Sequence, residues 1–202
     1  MTRVNAKLQR LTAVLFVIGS TCFLVGPMPS FVDLVGARAD AVVFFVGSLF
    51  FTAAAALQWA GTRGSEISAA ARWSSLVQLA GTLFFNVSTF HALSTGWGSG
   101  DYDSVVWRPD VFGSVCFLVS GCLAYVDVFG VLFTRPTRRP DGVMTAVNLF
   151  GCVAFGVSAL AAYVVPGTAT AVDAALSNTG TAVGALAFLV GAVLLFRSAE
   201  EA

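Results

Sequence analysis

Charge is what this sequence has least of. Only 11% of its 202 residues are Asp, Glu, Lys or Arg, where a soluble domain carries about 25%. In their place 57% are hydrophobic, and the mean hydropathy is +0.84. Water solvates such a surface poorly, so lipid is the expected solvent. A helix needs about 20 apolar residues to cross the hydrocarbon core. Six such spans with short loops use up nearly the whole chain, so residues 1–202 are expected to form a single integral membrane domain. Lysine is almost absent: Lys7 stands in the N-terminal tail, which excludes a retinal protein, whose Schiff base needs a lysine inside the membrane. His91 is the single histidine, and the four cysteines, Cys22, Cys116, Cys122 and Cys152, form no CxxC pair. These residues build no zinc-type ligand cluster and no two-histidine haem site within one chain, and no cofactor is expected. A formal net charge of zero gives no global attraction to nucleic acid.

Acid–base chemistry is equally thin. Gly98-Ser99-Gly100-Asp101 spells the string used by intramembrane aspartyl proteases, but it lies in a polar loop with no second aspartate to face it. Leu118-Val119-Ser120-Gly121 lacks the first glycine of the rhomboid serine motif. The chain reads as a non-enzyme.

One eight-residue pattern recurs in six apolar runs. It is glycine, a small residue, two variable residues, phenylalanine, any residue, an aliphatic or small residue, and a small residue. The glycines are Gly19, Gly47, Gly81, Gly113, Gly151 and Gly184, and the phenylalanines Phe23, Phe51, Phe85, Phe117, Phe155 and Phe188. The pattern closes on Gly26, Ala54, Ser88, Ser120, Ser158 and Gly191. Spacing at i, i+4 and i+7 puts notch, knob and second notch on one helical face. Small residues let helices approach closely in lipid, where the hydrophobic effect does not draw them together. One reading is a shared packing seam, with each phenylalanine opposite a neighbour's glycine. The other is a central lipophilic cavity lined by the phenylalanines.

The expected spans are 10–27, 40–60, 73–93, 110–133, 143–165 and 178–196. They group into three hairpins, at about 10–60, 73–133 and 143–197. Each hairpin contains two spans, so all three enter the membrane the same way round, as parallel repeats. The fold class is thus an all-α six-helix membrane bundle. The N-terminal run resembles a signal peptide, but it ends in Gly26-Pro27-Met28-Pro29 and carries the recurrent pattern, so it is read as a retained first helix. With the N-terminus inside, the inside segments hold Arg3, Lys7, Arg10, Arg63, Arg72, Arg135, Arg138, Arg139 and Arg197. The outside segments hold Arg38 and Arg108. The positive-inside rule then places both termini in the cytoplasm. Asp40, Asp110 and Asn178 are placed to favour helix N-termini, and residues 94–109 read as a flexible outer loop.

Polar residues inside spans are expensive and are candidate sites. Asn86 and His91, on the outer half of the third span, together with Asn148 on the fifth, form the candidate polar intramembrane site. Gln78 and Asn148 stand three residues before Gly81 and Gly151; Asp110 and Thr181 stand likewise before Gly113 and Gly184. A polar residue recurring at one site suggests a packing or capping role.

The segment Leu11–Ala60 resembles the bacterial YrhK-like family of short membrane domains. Leu15-Phe16-Val17-Ile18-Gly19-Ser20 with Phe23, then Phe45-Val46-Gly47-Ser48-Leu49-Phe50-Phe51, carry the resemblance. It continues more loosely at Gly81-Thr82-Leu83-Phe84-Phe85 and Gly113-Ser114-Val115-Cys116-Phe117. The resemblance implies a glycine-serine-aromatic helical hairpin in a bacterial plasma membrane, here three in tandem, and brings no catalytic residue with it. The expected role is binding a lipid or hydrophobic small molecule, or packing as a subunit with copies of itself or another membrane protein. The alternative is a small channel or transporter, with a pore between subunits if the protein is oligomeric.

Overall fold

The computed structural model describes residues 3–63, 66–132 and 139–200, with side chains from residue 6 onward. The expected inside charges Arg3, Arg135 and Arg138 lie outside the side chains described. The described residues are all-helical: α1 (Arg3–Val25), α2 (Pro29–Val35), α3 (Ala37–Gly61), α4 (Ala69–Ala92), α5 (Arg108–Phe129), α6 (Pro140–Ala161) and α7 (Ala174–Glu200). Five helices are long and apolar enough to cross a membrane: α1, α3, α5 with the turn before it, α6 and α7. The expected six spans therefore number five by length and composition. The helix left out, α4, has 24 residues, and Arg72, Gln78, Asn86, His91 and several hydroxyl residues dilute its apolar stretch.

Several helix ends differ from expectation. The first helix stops at Val25, before the prolines. Pro29 instead opens the short α2, suiting a first turn where its missing N–H is not needed. Gly36 then reverses the chain into α3 at φ +81°, a conformation that favours glycine. Residues 94–109 are not loop throughout: a π-helical turn over Asp103–Trp107 runs straight into α5, and Asp103 pairs with Arg108 at 2.8 Å. Asn178 lies inside α7, whose first turn is capped by Asp173 accepting from the Leu176 N–H at 2.9 Å.

The six long helices close into a ring in the order α1, α3, α4, α5, α6, α7, with α7 packing back on α1. The recurrent phenylalanines fill its axis. All six are buried, at 3–7% exposure. Phe51, Phe117 and Phe188 contact one another with centroids 5.6–6.4 Å apart. Phe23 and Phe85 each lie 6.1 Å from Phe155. Because alternate helices run in opposite directions, these are two layers: one triad from α3, α5 and α7, the other from α1, α4 and α6.

Candidate ligand-binding cavity

The layers are held by reciprocal seats within each hairpin. A methyl group built on Gly19 would lie 2.9 Å from Phe51, and one on Gly47 3.0 Å from Phe23. Gly81 and Gly113 seat Phe117 and Phe85 at 2.7 and 3.1 Å; Gly151 and Gly184 seat Phe188 and Phe155 at 3.1 and 2.6 Å. Ordinary carbon contacts are about 3.5–4.0 Å, so each ring occupies space that any side chain at the glycine would need. Six glycines receive six rings, two per hairpin.

This close packing at mid-bundle leaves the helices apart on one side of it. A cavity of about 420 Å³ extends from the Phe51–Phe117–Phe188 layer toward the end of the bundle that carries the chain termini. Its lining follows the repeat. Positions seven and three before the glycine supply Thr12 and Phe16 from α1, Ser74 and Gln78 from α4, and Met144 and Asn148 from α6. The returning helices supply Gln58, Ala124 and Leu195, each eleven residues after its glycine. At the phenylalanines themselves a void of about 10 Å³ remains, room for no more than a water.

The cavity is uncharged and mostly apolar, with a few polar groups set among the apolar side chains. Among the described residues no Asp, Glu, Lys, Arg or His lines it. Ser74 and Ser120 bond to each other across α4 and α5: each hydroxyl donates to the other residue's carbonyl, at 2.9 and 2.8 Å. Thr12 donates to its own helix at Leu8 O, 2.9 Å. The carboxamides of Gln58, Gln78 and Asn148 make no hydrogen bond among the described residues. Each can donate two and accept two, so all three are free for a guest or for water.

The three residues singled out from sequence separate. Asn148 lines the cavity beside Gly191, whose missing side chain makes room for its amide. Asn86 and His91 lie beyond Phe85, on the far side of the phenylalanine layers. The Oδ1 of Asn86 is buried without a partner among the described residues, and the ring of His91 stands edge-on to Phe90 at 5.6 Å. Gln78, read as a packing position, is instead a cavity residue, and Gln58 was missed. The signal for both was their offset from the glycine, the same measure that places Asn148.

Residues 3–62 match the family described as YrhK-like protein. The match covers the first hairpin, less than a third of the chain. No curated protein and no solved structure matches the chain.

Proposed function

We propose that the chain is a six-span protein of the bacterial plasma membrane, built from three tandem hairpins, which binds an uncharged lipophilic molecule in its central cavity and catalyses no reaction. The cavity carries this reading. Its volume falls within the ~300–1,000 Å³ typical of small-molecule sites. It offers an aromatic floor for an apolar body and unpaired carboxamides for a neutral polar group. Charged guests fit poorly, since burying an ion without a partner is costly.

Counting α4 as a span is supported by where its polar residues point. Ser74, Ser75, Thr82, Ser88 and Thr89 are all buried, so its lowered hydropathy reflects contacts with protein rather than with lipid. Its Gly81 and Phe85 also fill the same seats as in the other hairpins. Lys7, Arg10, Arg63, Arg72, Arg139 and Arg197 belong to the cavity end, and Arg38 and Arg108 to the opposite end. By the positive-inside rule the cavity then opens toward the cytoplasm, where a molecule can enter from the inner leaflet or the cytosol. An open channel along the axis is disfavoured by the six rings that fill it.

Native mass spectrometry from mild detergent tests the binding. The wild type should retain a discrete small mass. Ala124→Trp, which fills the cavity from α5, should lose it while keeping its helicity. A wild type that carries nothing, or a variant that keeps the same mass, would overturn the reading.

A further inference from the structure

Two of the free carboxamides lie deep. Gln78 and Asn148 each stand three residues before a glycine, about 4.5 Å along the helix axis. Gly81 and Gly151 fall at the middle of α4 and α6, so in a six-span bundle both amides sit near the centre of the bilayer. The rings of Phe51, Phe117 and Phe188, four residues after their glycines, bound the cavity at the same depth. In α1 the position equivalent to Gln78 and Asn148 is Phe16, which is 8% exposed and packs 5.7 Å from Phe51. The floor is thus three-cornered, with one aromatic corner and two that carry amides. Gln9 and Gln58 stand ten and eleven residues from their glycines, about 15 Å away and near the mouth.

This depth disfavours the ordinary membrane lipids. A phospholipid or fatty acid keeps its charged group at the interface and its chain ends at the bilayer centre. Seated here it would set methyl groups against Gln78 and Asn148 and leave two buried amides unpaired, which is costly. The fitting guest reverses that order. Its polar group goes in first, and its chain trails toward Leu8, Leu57 and Leu195 at the mouth. That polar group is uncharged, since among the described residues no carboxylate, amine, guanidinium or imidazole lines the cavity. It has two separate polar points, because α4 and α6 are not neighbours and α5 stands between them in the ring of helices. Ser74 and Ser120 do not compete for it, since their hydroxyls donate to each other's carbonyls. Between its polar points the guest is flat, to lie against the aromatic rings of the floor. A six-membered ring with carbonyl oxygens on opposite sides meets all four conditions, each oxygen accepting from one amide N–H.

We propose that the cavity holds the head of a quinone, its two carbonyl oxygens accepting from Gln78 and Asn148 and its chain leaving by the mouth. This rests on the cavity being a binding site. The lining offers, among the described residues, no carboxylic acid or imidazole to deliver the protons that reduction takes up, so the ring is held rather than turned over. The probe is a decyl-substituted benzoquinone with every ring carbon substituted, because Cys152 also lines the cavity and a thiol adds to an open ring position. Its control is the matching arene, which keeps the ring and chain but has hydrogen in place of both carbonyl oxygens. Full-length protein in mild detergent, freed of any mass retained on purification, is titrated with each probe and read by native mass spectrometry. The wild type should take up one quinone and hold the arene more weakly. Gln78→Met and Asn148→Leu, close in shape to the side chains they replace, should each weaken the quinone about 3–18-fold, the range of one hydrogen bond between helices in a membrane. Neither should change binding of the arene, and either variant alone suffices if the other fails to fold. A wild type that takes up no quinone, or folded variants that bind it as tightly as the wild type, would overturn the proposal. Ala124→Trp separates that failure from failure of the cavity itself. If the wild type as purified retains its own mass and Ala124→Trp loses it, the cavity stands and the quinone alone is wrong.

Discussion

Two glycines one hairpin helix apart should respond to the same methyl group with opposite sign. Gly184→Ala places a Cβ 2.6 Å from the Phe155 ring and 3.1 Å from the Gly151 carbonyl oxygen. Phe155 has nowhere to retreat: it stacks on Phe188 at 5.4 Å and 16°, and Phe85, Phe117 and Phe23 surround it. The carbonyl is backbone and moves only if α6 and α7 separate. Overpacking of this kind costs about 1–3 kcal/mol, and a site closed on both sides belongs at the upper end. The gain in helix propensity from Gly to Ala offsets up to about 1 kcal/mol, leaving Gly184→Ala destabilised by about 2 kcal/mol. Gly156→Ala is the control. It lies in the interior of α6, and a methyl there meets nothing within 4 Å, so it should be stabilised by up to about 1 kcal/mol. Reversible unfolding in mixed micelles, followed by far-ultraviolet circular dichroism, measures both. Phe155→Leu should also cost less in the Gly184→Ala background than in the wild type, because the two changes meet at one contact. If Gly184→Ala proves as stable as Gly156→Ala, the glycines are not seats for the rings and the account of the bundle fails.

Two further outcomes follow from the same geometry. Ser74→Ala and Ser120→Ala should each destabilise the fold, and a double-mutant cycle between them should give a coupling of about 0.6–1.7 kcal/mol, the range of interhelical bonds in membranes; additive effects would mean that the reciprocal bond does no holding. Tyr102, just before the π-helical turn, is 8% exposed. Burial first, and then the nearby Asp110 charge, raise its phenol from 10.0 to about 12. The raised value means that the folded state favours the protonated phenol, so its stabilisation is complete below pH 10.0 and is lost as pH rises through about 12. Tyr102→Phe should remove that part of the alkaline dependence, seen as a difference between the two unfolding profiles.

The seam was legible because it is local. Glycine and phenylalanine four residues apart share a helical face whatever surrounds them, and six copies at span-length intervals identified that face. Helix ends were less legible. Asn178 looked like a cap because it preceded the apolar run, but Asp173 reached the Leu176 N–H first, and α7 began before Asn178. The stretch before Pro109 looked like loop because glycine and aspartate crowd residues 96–103, yet the π-helical turn carries α5 back to Asp103.

Asn86 and Asn148 show where the sequence stops being sufficient. Both are asparagines in apolar helices, and both were fair candidates by the cost of burying an amide. One follows its glycine by five residues and the other precedes it by three, which puts them on opposite sides of the phenylalanine layers. That difference matters only once six helices have closed into a ring with the rings at its centre. The sequence by itself determined the helices, their recurrent seam and the uneven spread of basic residues, since each follows from residues near one another in the chain and from the properties of lipid. Only the tertiary structure decided which face met which, and that the space left over lies at one end. In lipid the surroundings are as apolar as the helices, so hydropathy gives no preference among partners. Shape makes that choice, with six rings seated on six glycines.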